Sequence, residues 1–349
     1  MSADVARADT THRARWSERS PSGGWRTIAA KEFSDHLTSV RFFVLLLIIG
    51  IASVVPLYFV TNTVSTLAAQ LSGQPALLLA LFIAPAQDAA GIVAAGFVAF
   101  FVPLVGIAFG FDAVNSERSQ GTLSRLLAQP IHRDDVINGK FAAGIAVIAL
   151  MLIVLVTLVA AFAIVRLGII PSPEEIIRLI IWVLVTILYA GFWLAFGLLL
   201  SVALRSAASA ALVGFGTWLG LFLFASLLLP ILAGFLFPID SNASVNAQYG
   251  SASAQTLFLR ISPANLYNDA VAGILDPRAV NQVLGSTSAI QDASQAWVNA
   301  SQSVFGRPSM LTLDQSLLAI WPQLVILAAL TALMFAGAYI LFLRQEVRA

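Results

Sequence analysis

Long apolar stretches alternate with short polar ones along the whole chain. A helix needs about 20 apolar residues to cross a bilayer, and stretches of at least that length lie at 42–61, 89–111, 141–166, 177–204, 207–237 and 317–343. The pattern therefore predicts an all-α polytopic membrane protein with six transmembrane helices. A shorter apolar run at 76–84 predicts a re-entrant or surface helix, or an extension of the second span. Pro230 is expected to kink the fifth span or to end its spanning part.

Lys and Arg are concentrated in segments that six spans would place on one side of the membrane. These segments are 1–41, 112–140, the link at Arg205 and the end of the chain after 343. Because positive segments stay in the cytoplasm, both termini and the 112–140 loop are predicted to be cytoplasmic, and the 238–315 loop extracytoplasmic. This arrangement predicts a multi-pass protein of the cell (plasma) membrane, of prokaryotic type.

The polar segments divide the chain into parts. Residues 1–24 are predicted to be a disordered cytoplasmic tail, 25–41 an amphipathic interface helix, 42–343 a single six-helix domain and 344–349 a cytoplasmic tail. The interface helix should have an apolar face of Trp25, Ile28, Ala29, Phe33 and Leu37, with Arg26, Lys31, Glu32 and Asp35 facing away from it.

One part of the 238–315 loop has the pattern of an ordered element. Ser262 is a plausible N-cap, and Pro263 would occupy the first helical position. We expect a short helix after Ser262 that packs over the outer ends of the spans.

Composition limits the chemistry that the chain can perform. Hydrophobic residues make up 59% of the 349 residues and charged ones 11%, the net charge is +1, and cysteine is absent. The predicted spans carry no charged residue in their interiors, so a proton relay or a voltage sensor is not expected. A phosphate-binding loop is also missing, because Phe141 follows Gly139-Lys140 and Asp134 stands where that motif needs its first glycine. No catalytic or metal site is predicted, and any energy for transport should come from outside the membrane.

The polar stretch 112–140 is the most informative part of the sequence. Gly121 should let the chain bend after the second span, and Thr122 or Ser124 could cap a short helix that Pro130 ends. Arg133 should begin the helix that becomes the third span, with Lys140 at the membrane boundary. The short helix would either dock in a groove on a soluble protein or lie in the interface with its leucines in lipid. Its apolar face would be Leu123, Leu126 and Leu127.

The spacing of residues in this stretch resembles the cytoplasmic loop of type-2 (export-class) ABC transporter permeases. The residues that carry the resemblance are Glu117, Arg118, Gly121, Thr122, Leu123, Leu126, Leu127, Pro130, Ile131 and Arg133, followed by Gly139 and Lys140. Weaker resemblances extend it over the chain, at Lys31-Glu32-Phe33, Ile261-Ser262-Pro263 and Phe342-Leu343-Arg344. The nearest branch by pattern includes the permease that serves nitrous-oxide-reductase maturation.

The resemblance implies a permease subunit of an ATP-driven exporter. Two permease chains, identical or related, would bind two cytoplasmic ABC ATPase subunits, and ATP and Mg would be bound only there, with no cofactor in this chain. The 112–140 loop would act as a coupling helix, and the residues for coupling and partner binding would be those named above from Glu117 to Lys140, without Ile131.

Two other functions stay open from the sequence. A non-transporting membrane platform would use the same loop to recruit a cytoplasmic partner and the 238–315 loop to engage an extracytoplasmic one. An ion-coupled carrier would need broken helices, for which Pro56, Pro103 and Pro230 are the candidate break sites.

Overall fold

The computed structural model describes residues 24–51, 79, 94–122, 132–167, 171–240, 244–275 and 312–344. All regular secondary structure in these ranges is helical, which confirms the all-α fold class. Five of the helices are long and apolar enough to cross a membrane, and there are six if a bent pair near the beginning is counted as one span.

The helices follow one another in chain order with short connections. The bent pair is α1 (Gly24–Thr38) and α2 (Val40–Ile51), which meet at 64°. The elements after it are α3 (Ala94–Gly110), α4 (Asn115–Ser119), α5 (Arg133–Leu167), α6 (Pro173–Ala203), α7 (Ala207–Gly220), a π-helical turn (Leu221–Ala225), α8 (Ser226–Leu236), α9 (Val245–Leu259), α10 (Pro263–Leu275) and α11 (Leu313–Arg344).

Helix α6 is the central element, and its start is defined by local chemistry. The Ser172 side chain accepts a hydrogen bond from the Glu175 backbone N–H, the Glu175 side chain accepts one from the Ser172 N–H, and Pro173 occupies the first turn. This reciprocal cap satisfies two donors that a helix start otherwise leaves open. From there α6 runs through the middle of the bundle against α3, α5, α10 and α11.

Helices α3 and α6 approach each other closely because both carry glycine where they touch. A Cβ atom on Gly110 would lie 2.7 Å from the Leu194 carbonyl oxygen, and one on Gly197 would lie 3.2 Å from the Gly110 Cα. Neither space admits a side chain without a shift of backbone. Close backbone contact of this kind is how membrane helices compensate for the absence of a hydrophobic drive between them.

The fifth apolar stretch changes its helical geometry before Pro230. The helix of spanning length runs over Ala207–Ala225, and a shorter apolar helix, Leu227–Leu236, follows. Proline has no N–H to bond the carbonyl four residues earlier, here that of Ser226. The π-helical turn ends next to that residue, so the break coincides with the missing hydrogen bond.

Helix α10 begins where the sequence predicts, at Pro263 after Ser262. It does not pack over the outer ends of the spans, however, because its side chains contact residues of α6 far from the start of that helix. The Tyr267 ring stacks on Tyr189 with 4.4 Å between centroids, and its hydroxyl lies 3.0 Å from the Thr186 hydroxyl. Thr186 is about 20 Å along α6 from Pro173, so α10 is inserted among the helices.

A buried arginine joins three elements at the outer side. Arg178 on α6 donates to the Ile274 carbonyl of α10 at 3.1 Å and to the Ser316 hydroxyl of α11 at 3.0 Å, and it pairs with Glu174 at 2.8 Å. Its side chain is 3% exposed. The guanidinium group supplies several donors in a fixed geometry, so a single side chain ties α10 and α11 to the start of α6.

Candidate functional site

The predicted partner-binding residues fall on both sides of a gap in the described structure. Leu123, Leu126, Leu127 and Pro130 lie outside the described residues. The others are described, and they flank that segment on α4, on the turn after it and on the first two turns of α5. They are Glu117, Arg118, Gly121, Thr122, Arg133, Gly139 and Lys140.

The turn after α4 depends on Gly121, as the sequence predicts. Gly121 has φ +67°, a left-handed conformation that side-chain-bearing residues rarely adopt. The Gly121 N–H donates to the Arg118 carbonyl, and the Thr122 N–H donates to the Glu117 carbonyl at 3.0 Å. These bonds end α4 just before residues 123–131, which are called the leucine segment below.

The chain leaving α3 is attached to the cytoplasmic end of α6. The Ser201 hydroxyl, which is fully buried, accepts hydrogen bonds from the Val114 and Asn115 backbone N–H groups at 3.0 and 3.1 Å. The Arg118 guanidinium donates to the Leu204 carbonyl at 3.3 Å. Arg118 therefore holds the end of α6 as well as lying in the predicted docking loop.

Lys140 forms the centre of a buried ion cluster. Its ammonium group lies 2.8 Å from a Glu117 carboxylate oxygen on α4 and 3.1 Å from a Glu32 carboxylate oxygen on α1. The Lys140 side chain is 4% exposed, and the two carboxylates are also largely buried. Lys140 is thus buried between helices, and its predicted place at the membrane boundary stays a prediction. Glu32 faces inward, which corrects its assignment to the outward face of the interface helix.

Helix α1 crosses α5 at Gly139, one residue before the ion cluster. A Cβ atom there would lie 2.7 Å from the Ile28 Cγ2 atom and 2.9 Å from the Trp25 carbonyl oxygen. Ile28 belongs to an apolar cluster with Val136 and Ile137 at the cytoplasmic ends of the helices. Helix α5 begins at Arg133, as the sequence predicts, so Gly139 lies within its second turn and lets α1 rest on its backbone.

A second ion pair connects the start of α2 to the end of α3. The two terminal nitrogens of Arg41 donate to the two carboxylate oxygens of Asp112, and Arg41 also donates to the Ala108 carbonyl at 2.8 Å. A bidentate pair of this kind fixes direction as well as distance. The bend between α1 and α2 is therefore held on the exit of α3.

These pairs surround a polar cavity of about 810 Å³ between α1, α4 and the start of α5. Lys31, Asp35, His36 and Gln120 also line it, as does Thr122, the last described residue before 123. The His36 ring packs edge-on against Phe109 with 5.1 Å between centroids. Burial lowers the pKa of His36, while the nearby charges act in both directions.

The arrangement links separate elements of the fold through paired charges. Its strongest charges neutralise one another, and no cluster of metal-ligating side chains occurs in the part of the chain that the structure describes. The ion pairs of Lys140 connect α1, α4 and α5. These side chains cannot separate without leaving buried charges unpaired, which is costly.

Sequence reasoning missed four residues of this site. Glu32, Arg41, Asp112 and Ser201 were not predicted as site residues, although Asp112 begins the loop and the other three each pair with a residue of the loop. A signal existed for Glu32, because a lysine next to an apolar run needs a carboxylate partner if it is buried. The sequence could not identify which of the nearby carboxylates that partner is.

The fold and the site together define a multi-pass membrane protein with a charged junction beside one interhelical loop. The sequence model of the family described as 'ABC-2 family transporter protein' matches residues 26–347, nearly the whole chain. The chain belongs to this family. It is a permease subunit of an ABC transporter, and such subunits are transport components that work with an ABC ATPase in a dimeric arrangement. No curated protein matches the chain significantly. The particular branch within the family stays a prediction.

Proposed function

We propose that this chain is the membrane subunit of an ATP-driven exporter and that its 112–140 loop couples it to a separate cytoplasmic ATPase. ATP and Mg bind in that ATPase, and this chain holds no cofactor. The observation that carries the proposal is the junction around Lys140, which connects both ends of the loop to the elbow helix α1 and to the third span.

The junction suits a coupling element because it joins the two ends of the loop to each other. Glu117 precedes the leucine segment and Lys140 follows it, and their side chains meet at 2.8 Å. A partner that displaces the leucine helix therefore acts on α4 and α5 together. Glu32 extends the same displacement to α1 at 3.1 Å.

The docking residues divide into two groups by position. Leu123, Leu126 and Leu127 are the apolar anchors that enter the ATPase, while Glu117 and Lys140 transmit the movement inside the permease. This division refines the sequence hypothesis, which assigned all of these residues to coupling or partner binding without separating the two roles. The spans then rearrange around a path that opens outward, in a prokaryotic plasma membrane with both termini in the cytoplasm.

Leu126→Asp tests the docking role. An apolar anchor in a partner groove is typically worth about 1–3 kcal/mol, so the charge should weaken the complex by tenfold or more, about 1.4 kcal/mol. The measurement is co-purification in detergent with the ABC ATPase encoded beside this gene, together with ATP hydrolysis by the assembled complex.

The matched control is Ser34→Asp, which adds the same charge on the exposed surface of α1. It should leave the complex intact. Equal co-purification of Leu126→Asp and Ser34→Asp would reject the docking role. A well-folded wild-type chain that binds no ATPase would instead favour the platform function and make the 238–315 loop the next target.

A further inference from the structure

A second cavity lies among aromatic rings halfway through the bundle. It has a volume of about 150 Å³ and is bounded by α3, α6, the α7–π-turn junction and the start of α10. Tyr189 and Trp193 of α6 line it, and Tyr189 lies about 24 Å from the first residue of that helix and about 21 Å from the last. The cavity is therefore near the middle of the membrane-spanning region.

The rings around this cavity form a connected set. Phe100 meets Trp218 at 4.8 Å and Phe222 at 4.9 Å between centroids, both edge-on, and Trp218 stacks on Phe222 at 5.9 Å. Trp193 and Tyr189 are almost completely buried, whereas Phe222 is 45% exposed. The set thus presents a closed interior and one half-open side at Phe222.

Two features distinguish the cavity from ordinary packing. Protein interiors are close-packed, and voids much larger than a water molecule are few. The cavity is also lined by Leu221 and Phe222, which belong to the π-helical turn, and such turns occur frequently at functional sites. Small residues of α3, Gly96 and Ala99, face the rings across the space.

Size and lining point to one kind of ligand. An apolar cavity of about 150 Å³ holds a benzene ring, and aromatic rings prefer edge-to-face or offset contacts with other rings. Ser262 and Asn268 of the α10 region add a few polar groups at the margin, as is usual in small-molecule sites.

We propose that this cavity binds the aromatic ring of an amphiphilic compound and that such compounds are the substrate class of the permease. The substrate part rests on the proposed function, whereas the ring-binding part does not. Helix α10 forms one wall through Pro263, so the extracytoplasmic segment takes part in substrate recognition.

The absence of cysteine in the sequence allows a direct test with single engineered thiols. Ala99→Cys places a thiol in the cavity lining, and Leu333→Cys places one on the exposed side of α11 at a similar depth, about 16 Å from the cytoplasmic end of its helix. Each variant, purified alone in an alkyl maltoside, is reacted with benzyl or pentyl methanethiosulfonate. The thiol takes the benzylthio or pentylthio group and methanesulfinate leaves.

The expected result is ring selectivity in the cavity alone. The benzyl-to-pentyl rate ratio should be about fivefold higher at Ala99→Cys than at Leu333→Cys. Adding Phe222→Leu, which keeps an apolar side chain but removes the ring, should return the ratio to the control value. Phe237→Leu, outside the cavity, should not change it. Equal ratios at the two thiols, faster pentyl labelling at Ala99→Cys, or equal effects of the two leucine variants would overturn ring binding.

The substrate part has its own readout in the assembled complex. Benzyldimethyldodecylammonium should stimulate ATP hydrolysis more than trimethyldodecylammonium does, and Phe222→Leu should abolish the difference while Phe237→Leu preserves it. No difference in the wild-type complex would overturn the substrate class. Failure of the proposed function would be seen separately, as loss of ATPase co-purification with ring-selective labelling intact.

Discussion

Lys140 is the least exposed of the three charged residues that meet at the junction. Two carboxylates from different elements share its ammonium group in a site with little access to water. A buried pair of this kind adds little net stability over an apolar replacement of all its members, but removal of one member leaves uncompensated charge. The ion cluster therefore mainly fixes the relative positions of α1, α4 and α5, because all three charges are paired in only one arrangement of these helices.

Lys140→Met should destabilise the protein by about 3–5 kcal/mol, because Glu32 and Glu117 would face each other without a counter-charge. Chemical unfolding in detergent measures the change. Lys31→Met is the matched control, since Lys31 is 64% exposed and pairs with Asp35 on the surface of α1. That change should cost less than about 1 kcal/mol.

A rescue variant separates charge from packing. Adding Glu32→Gln to Lys140→Met removes one of the two facing carboxylates and should recover part of the lost stability. If the double variant is less stable than Lys140→Met alone, the charge-based explanation of the junction is wrong.

His36 should make stability pH-dependent. Burial lowers its pKa below the ordinary 6.5, so the unfolded chain binds a proton more readily than the folded one. The folded state carries no penalty above pH 6.5 and loses stability as the pH falls from there toward the lowered pKa. The charges that face His36 are Glu32, Lys140, Arg41 and Asp112.

The measurement is the unfolding midpoint between pH 7.5 and pH 5 for the wild type, His36→Gln and His132→Gln. The slope should decrease in His36→Gln and stay unchanged in His132→Gln, where the histidine is exposed. Identical slopes in all three proteins would exclude His36 as the cause.

At the scale of elements, the elbow is a packed part of the bundle. Helix α1 rests on α5 through Ile28 and Gly139 and through the Lys140 pairs, and Phe33 and Leu37 pack on the main core. The amphipathic pattern of 25–41 predicts a helix with one apolar face, and of the residues predicted on that face all but Trp25 are buried or half-buried. Trp25 is 39% exposed, which leaves it free for the membrane interface.

A disulfide should form between the elbow and the third span in Gly24→Cys/Asp135→Cys. A Cβ atom on Gly24 would lie 3.4 Å from the Asp135 Cβ atom, close to the roughly 3.8 Å typical of disulfides. Because the two helices move as one unit in the proposed mechanism, the oxidised variant should keep ATP hydrolysis coupled to transport. Intact mass and thiol labelling measure the bond.

The reduced form of the same variant is the control for that experiment. Loss of coupling on oxidation, with recovery on reduction, would mean that α1 must separate from α5 during the cycle. The Lys140 junction would then be a contact that opens, contrary to the mechanism proposed above.

At the scale of the whole molecule, the bundle has a densely packed centre and apolar outer surfaces. Among the spanning helices that the structure describes, α6 is the most buried, because 61% of an apolar 18-residue stretch lies inside the protein. The corresponding fractions are 17% for α7 with the π-turn and 11% for α11. Lipid or another chain must cover those surfaces, which agrees with the dimeric arrangement of the family.

We expect the complete transporter to contain two permease chains and two ATPase subunits. Native mass spectrometry of the detergent-solubilised complex should give a 2:2 assembly when this chain is expressed with one ATPase gene. A 1:1:2 assembly, obtained when a second permease gene is expressed together with these two, would identify a heterodimer. An assembly with a single permease chain would contradict the dimeric mechanism.

The sequence by itself determined the class of fold and the place of the loop. Apolar runs of spanning length reflect a local requirement, since every backbone polar group must be bonded within its own helix in a membrane. The starts of α5 at Arg133 and α10 at Pro263, and the turn at Gly121, are local as well, because caps, proline and glycine act within a few residues.

Only the tertiary structure decided which distant residues meet. Glu32 and Lys140 are 108 positions apart, and Tyr267 and Thr186 are 81 apart, so no local pattern relates them. The depth of α10 and the inward direction of Glu32 follow from packing against elements that the sequence does not order in space. Interactions between neighbours in sequence were predictable, and the charged junction and the aromatic cavity were not, because both exist only where separate helices converge.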